Sequence, residues 1–238
     1  MALAVVGVLV IAGAVWAVTG SIPRQATAAG ILTHTEGSVY LQSSYEGQIV
    51  GVFVGTGASF PAGSPLFTVQ DGGKQFTVRS VTGGRVISVL GRVGQVISKG
   101  AQLAVIERID DKNDPLAAMV YLPQTQSGLV RPGSAVDLTV ESAPAQQFGV
   151  LRGTVESVDQ FPQTRHQIAQ FLGDDQLAAR FTSTGQPIGV VVRLTPGRTP
   201  SGFAWSTGRG PSFHIDSRTL VSAAIHLPPI KPVNWVVA

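Results

Sequence analysis

Gly47-Gln-Ile-Val-Gly-Val-Phe-Val-Gly-Thr-Gly57-Ala-Ser-Phe-Pro-Ala-Gly63-Ser-Pro-Leu66-Phe-Thr-Val69 is followed by a second copy of its own pattern, Gly84-Arg-Val-Ile-Ser-Val-Leu-Gly-Arg-Val-Gly94-Gln-Val-Ile-Ser-Lys-Gly100-Ala-Gln-Leu103-Ala-Val-Ile106. Every landmark moves by the same 37 positions without a gap: Gly47 to Gly84, Val52 to Val89, Gly57 to Gly94, Gly63 to Gly100 and Leu66 to Leu103. Such self-similarity marks a structural unit used twice. Ile49, Val52 and Val54 predict a short strand rich in β-branched residues. Gly55 and Gly57 predict a turn at positive φ, and Pro61-Ala62-Gly63 a second tight turn. Leu66 to Val69 then returns as a strand. One such half cannot bury its apolar face alone, so the two halves are expected to close on each other as a small flattened barrel or sandwich with pseudo-two-fold symmetry. Gly47, Gly57, Gly63, Gly84, Gly94 and Gly100 are its structural turn positions.

Outward from the repeat, the composition narrows the function classes. Of 238 residues, 44% are apolar and only 13% charged, and the formal net charge is +3 with no long basic run, so nucleic acid is not an implied partner. Cysteine is absent, which excludes disulfides and thiolate chemistry. The 28 glycines and 15 prolines are scattered, as in an all-β chain with many turns. Ala2 to Val18 carries no charge, the uncharged stretch runs on to Pro23, and Arg24 is the first charged residue. About 20 apolar residues span a hydrocarbon core, and Trp16 stands where an indole favours the membrane interface. Residues 1–23 are therefore expected to be a transmembrane anchor. The competing reading is a cleaved signal peptide ending near Ala26-Thr27-Ala28, which would want a basic flank before the apolar run. The missing flank also points to residues upstream. With no second apolar span, everything after Ser21 is expected on one side of the membrane.

The doubled phrase resembles the biotinyl/lipoyl fold. In carrier domains of that fold a lysine at the hairpin between the halves receives lipoate or biotin. Here the link is Gln70-Asp71-Gly72-Gly73-Lys74-Gln75, and Lys74 lies near the carrier position. The flanking pattern is neither Asp-Lys-Ala nor Met-Lys-Met, so carrier function at Lys74 is the alternative reading. In membrane fusion proteins of the hemolysin-D type the same halves flank a helical hairpin. Here they are joined directly.

Asp110 to Pro115 reads as a linker. Strands are expected at Leu116–Leu122, after Gly133 with Val136, Leu138 and Val140 on one face, at Phe148–Val158 with Gly153 as a bend, and at Gly189–Leu194. Further strands are expected at Thr219–His226 and Val233–Val237, with a glycine-rich hairpin at Ser201–Pro211. Gln163 to Leu172 predicts a helix stopped by Gly173, and Asp174-Asp175 caps a short second turn through Ala179. The phrases around Gly128–Val140 and Gly149–Val158 resemble the β-barrel domain that follows the lipoyl-like domain in hemolysin-D-type adaptors. The block from Phe161 onward resembles the bacteriocin-system secretion proteins associated with nitrile-hydratase-like leader peptides. One departure is Asp216-Ser217-Arg218-Thr219, where such adaptors often carry a glycine.

His34, His166, His214 and His226 show no metal-ligand spacing. Gly208-Arg209-Gly210 lacks the Lys-Ser/Thr and following helix of a phosphate loop, and no Gly-x-Ser-x-Gly elbow occurs. No catalytic residue, cofactor or metal is expected. The expected architecture is mainly β: an anchor over 1–23, a biotinyl/lipoyl-like domain over 24–109 with halves 47–69 and 84–106, and a β-barrel or membrane-proximal domain over 110–238 with a helical insert at 163–180. The resemblance implies a non-catalytic adaptor of an ABC-type peptide or bacteriocin exporter. It would be single-pass in the plasma or inner membrane, with its β domains extracytoplasmic. Its expected partners are exporter subunits, the membrane, further copies of itself and peptide cargo. A cell-surface β protein with no exporter is the remaining alternative.

Overall fold

The computed structural model describes residues 19–34, 37–109 and 115–230. The strands are β1 (Ile22–Thr33), β2 (Ser38–Gln42), β3 (Gly47–Val52), β4 (Ser59–Phe60), β5 (Pro65–Asp71), β6 (Lys74–Arg79), β7 (Gly84–Val89), β8 (Val96–Ile97), β9 (Gln102–Arg108), β10 (Ala117–Leu122), β11 (Ala135–Val140), β12 (Leu151–Val158), β13 (Ile188–Leu194) and β14 (Leu220–Ile230). Short helices among the described residues are α1 (Gln124–Ser127), α2 (Ala145–Phe148), α3 (Arg165–Leu172) and α4 (Asp175–Phe181). Most of the anchor reading (1–18), the linker residues 110–114 and the strand expected at Val233–Val237 lie outside the described residues. Ile22 and Pro23, assigned above to the anchor, are the first residues of β1. Among the described residues, no helix is long and apolar enough to cross a membrane.

The repeat builds two four-stranded sheets, ordered β2-β9-β7-β4 and β6-β5-β3-β8. Moving along the chain by 37 residues carries β2, β3, β4 and β5 onto β6, β7, β8 and β9, so the shift exchanges one sheet for the other. Each sheet therefore holds strands from both halves. The turns repeat in the same way: the Gly57 amide donates to Val86 O and the Gly94 amide to Ile49 O, both at 2.7 Å. Gly63 donates to Ser80 O, and Gly100 to Ser43 O. The repeat reaches further back than the phrases at Gly47 and Gly84 reveal. Ser43 and Ser80 are 37 residues apart, both are buried, and each hydroxyl caps the carbonyl two residues on, Tyr45 and Thr82. The core between the sheets is Ile49, Phe60, Leu66, Phe67, Val69 and Val86 with Ile97, Leu103 and Ile106, drawn from both copies.

The glycines act in two distinct ways. Gly57, Gly63, Gly94 and Gly100 have φ between 78° and 90°, with open space where a Cβ would stand, so their requirement is conformational. Gly47 and Gly84 face a backbone: a Cβ would lie 2.2 Å from Gln70 O and 2.3 Å from Glu107 O, carbonyls that are again 37 residues apart. Gly84 sits inside β7 at ordinary φ, so its requirement is close approach and not a turn. Gly55, expected at positive φ, is not among the positive-φ glycines. The turn is made by Gly57 alone, with the Ala58 amide reaching back to Gly55 O.

The link between the halves is shorter than the expected six residues. β5 and β6 pair to the end, with Asp71 opposite Lys74, leaving Gly72 and Gly73 at φ 51° and 83° as a two-residue hairpin turn.

The second body is a closed barrel, β1-β10-β13-β12-β11-β14. Strand β1 belongs here, so residues 22–33 pair with β10 and β14 and not with the repeat they precede. The sandwich is thus an insertion between two neighbouring barrel strands, β1 and β10, which meet at Thr33 and Ala117. Alternation places Val136, Leu138 and Val140 of β11 and Val190, Val192 and Leu194 of β13 in one core with Ala26, Leu32, Ile225 and Trp205. The stretch at Ser201–Pro211 forms no paired hairpin of its own. Its first residues pair back with the segment after β13 through the Pro196–Phe203 bridge, and Trp205 bridges Leu151 of β12.

Outside the barrel, α3 and α4 cover Ile31 and Tyr121 with Ile168, Ala169, Leu172, Ala178 and Phe181. Helix α3 opens on a capping box, Thr164 with Gln167, and closes on Gly173 in the left-handed region. Asp174 caps α4 through the amides of Gln176 and Leu177.

Candidate functional site at the junction of the two β bodies

The barrel strand β1 ends at Thr33 beside the start of β10 at Ala117, and the helical insert packs between this end of the barrel and the sandwich. Gly37 (φ 67°) lies under α3: a Cβ there would meet Phe171 O at 2.6 Å and the Phe171 ring at 2.7 Å. At Gly173 a Cβ would stand 2.7 Å from Val105 of β9. The absence of side chains at both points lets helix and sandwich touch.

The turn before β14 completes the junction. Arg218 has φ 63°, the one positive-φ residue other than glycine among those described. That region costs a non-glycine residue about 1–3 kcal/mol. The guanidinium offsets the strain. Arg218 Nη1 donates to Leu172 O at 2.8 Å, an end-of-helix carbonyl, and Nη2 to Asp174 Oδ2 at 3.0 Å. The Arg218 amide donates to Leu32 O at 2.6 Å, and Leu32 returns its amide to Thr219 O. Next to it, the Ser217 hydroxyl donates to Glu107 Oε2 at 2.7 Å. Glu107 is fully buried, and its other oxygen, Oε1, has no hydrogen-bond partner. A cavity of about 380 Å³ opens beside this network, lined by Tyr40, Leu90, Val105, Asp174, Asp175 and Arg218. Burial and then the carboxylates of Asp175 and Asp174 push the Tyr40 phenol above its ordinary range, against a smaller opposing pull from Arg218.

These groups can hold two β bodies at one angle. They do not assemble a nucleophile with a base. The other residues singled out in the sequence are dispersed. His166 is exposed on α3 and pairs with Gln170, and His214 is exposed. His226 meets Asp137 at 2.9 Å on the barrel wall, where Asp137 also holds Arg152. Asp174 is the α4 cap and the partner of Arg218, while Asp175 is in the first turn. Lys74 ends the two-residue hairpin on the sandwich, exposed to solvent. Among the described residues no three His, Asp or Glu side chains converge.

Buried Tyr121 borders another cavity, of about 480 Å³, with Pro123, Phe181 and Pro187. Its ring packs on Phe181 at a 31° tilt with centroids 4.6 Å apart, and burial followed by Asp159 pushes its phenol up. Sequence reading missed Glu107 and Tyr121, and named Ser217 only as part of the unusual turn Asp216–Thr219. A glutamate ending an apolar run at Leu103–Ile106 was the one signal available for Glu107.

No protein-family model matches the chain. Solved structures match nearly its whole length. ZneB from Cupriavidus metallidurans matches with TM-score 0.59 at 12% identity, covering 89% of this chain and 73% of that one. A MacA-MexA chimera containing the Pseudomonas aeruginosa MexA alpha-hairpin domain matches with TM-score 0.56 at 11% identity, covering 89% and 84%. The membrane fusion protein Spr0693 from Streptococcus pneumoniae R6 matches with TM-score 0.50 at 12% identity, covering 84% and 97%. At these identities the likeness is one of architecture: the chain has the fold of a membrane fusion protein.

Proposed function

We propose that this chain is a non-catalytic, membrane-anchored adaptor of an ABC-type exporter of peptides or bacteriocins. The observation that carries the reading is the fold likeness to a membrane fusion protein along 84% of this chain and 97% of that one. The apolar run before Ile22 supports the anchor. The resemblance of the block after Phe161 to bacteriocin-system secretion proteins supports the peptide cargo. In this reading the partner ATPase supplies the transport energy, and the β bodies oligomerise or frame the exit path.

The hairpin refines the role. The MacA-MexA chimera contains an alpha-hairpin domain, whereas β5 and β6 here are joined by Gly72-Gly73. Two residues cover only about 7 Å even when extended, so the link cannot reach across a periplasm. The adaptor acts close to its own membrane. Because the chain lacks cysteine, single cysteines can carry crosslinkers. At Ser21 or Gln25, both exposed beside the start of β1, they are expected to capture an ABC exporter subunit; at Lys74 they capture no outer-membrane protein. An outer-membrane channel recovered at Lys74, with nothing at Ser21 or Gln25, would overturn both the short reach and the partner.

Deleting Met1 to Gly20 spares every strand from β1 onward. The truncated chain is expected to be soluble, with the far-ultraviolet spectrum of a folded β protein. Retention in the membrane fraction after a high-salt wash would show that the apolar run is not the sole attachment. The carrier alternative at Lys74 is decided by intact mass: an added lipoyl or biotinyl group supports it, and an unmodified mass removes it.

A further inference from the structure

We propose that the barrel end where β1 begins and β14 stops is a lipid-facing surface: Leu129 and Phe161 enter the interfacial layer of the anchoring membrane, while Arg24, Arg131 and Arg165 pair with anionic lipid headgroups. This rests on the anchor reading.

The strand register brings these residues to one end. β1 starts at Ile22, paired with Ile230 at the end of β14, and its other end, Thr33, leads to the sandwich. β10 runs toward the Ile22 end and passes into α1, followed by Leu129 and Arg131 before β11 begins. β12 ends at the same rim, and β13 starts there. The connection between them carries Phe161, fixed by the Asp159 amide on Gly189 O and the Gln163 amide on Pro187 O. Helix α3 then opens at Arg165.

The surface is both apolar and cationic. Phe161 is 76% exposed and Leu129 39%. Arg24, Leu129 and Arg131 line one shallow depression of about 180 Å³ with Pro228, Pro229 and Ile230. None of the guanidiniums of Arg24, Arg131 and Arg165 meets a carboxylate among the described residues, whereas Arg152, Arg180, Arg193 and Arg218 each do. The nearby Asp159 carboxylate is taken by Gln163 Nε2. An aromatic and a leucine ringed by unpaired arginines suit the layer where acyl chains meet phosphate.

The chain outside the described residues leaves from this same end on both sides. Residues 1–18, uncharged, precede it, and Lys231-Pro-Val-Asn-Trp235-Val-Val-Ala238, with a cation and an indole, follows it. On the anchor reading, the N-terminal run tethers this end of the barrel to the bilayer, which favours lipid over a protein partner.

The test uses the full chain, its native lack of cysteine allowing nitroxide labels at Leu129→Cys, Phe161→Cys and, as a control on the sandwich, Phe53→Cys, itself 60% exposed. Each is placed in nanodiscs of phosphatidylcholine with or without phosphatidylglycerol, and relaxation by oxygen is compared with relaxation by a water-soluble nickel chelate. The oxygen-to-nickel ratio is expected several-fold higher at 129 and 161 than at 53. In anionic discs the double variant Arg131→Glu/Arg165→Glu is expected to lower it toward the control. Labels at 129 and 161 as wet as at 53, on a chain that still elutes with the disc, overturn the lipid surface and leave the anchor standing. A chain that does not enter discs overturns the anchor reading itself. Protection that appears only in membranes containing the exporter assigns the surface to a protein partner, and insensitivity to charge reversal overturns the headgroup pairing.

Discussion

Valine at Gly47 is expected to abolish the sandwich's independent stability. Gly47 combines both demands made on the glycines of the repeat, φ of 131° and a Cβ position 2.2 Å from Gln70 O. Strain at such a φ costs a β-branched residue about 1–3 kcal/mol. Forcing a side chain against a neighbouring backbone adds about 1–3 kcal/mol, because the β3–β5 pair must separate to admit it. A loss of about 2–6 kcal/mol is a large share of the stability of a small domain. Gly57→Val carries only the conformational cost, since nothing lies within 4 Å of its Cβ, so about 1–3 kcal/mol is expected. Gly55→Ala has neither cost and should change the denaturation midpoint little. Urea unfolding of the three variants checks the order Gly47, Gly57, Gly55. Equal midpoints for Gly47→Val and Gly55→Ala would sink the close-approach account.

The second large effect belongs to the junction. Ser217→Ala removes the hydroxyl bonded to Glu107, a fully buried side chain whose other oxygen already lacks a partner. Leaving a buried polar group unsatisfied costs about 1–3 kcal/mol, more if it is charged. Replacing both partners, Ser217→Ala with Glu107→Leu, should cost less than the sum of the single changes, with a coupling of about 0.5–3 kcal/mol. Stability alone does not separate a junction role from a packing role. A pair of spin labels, one on the sandwich at Phe53 and one on the barrel at Glu156, should therefore give a broader distance distribution in Ser217→Ala than in the parent. An unchanged distribution would mean that the bodies are held by the Phe171–Gly37 and Arg218 contacts without Ser217.

The repeat, its turns and the helix caps were legible because each is local. Gly57 and Gly94 announce a backbone conformation that few other residues adopt. Gly173 announces where a helix stops, whereas the start was placed at Gln163 and α3 opens at Arg165 behind the Thr164–Gln167 capping box. The spacing of 37 residues carried enough to predict two halves closing on each other, because each landmark glycine of one copy has its counterpart in the other. Even so, the copy was read too short at its beginning, although Val39, Leu41 and Ser43 match Phe76, Val78 and Ser80 at the same spacing.

The sequence by itself determined that there are two like halves with glycine at defined turns, that α3 stops at Gly173, and that β11 has one apolar face. Only the tertiary structure decided that β1 leaves the repeat it adjoins and closes the barrel, that the sandwich is inserted between β1 and β10, and that Glu107 meets Ser217 across 110 residues of chain. The physical reason is the range of the interaction. Alternation says that a strand has a face to bury, and any strand of matching length satisfies it. The choice of partner and register is made by the collective closure of six strands around one core, and no single segment contains that information.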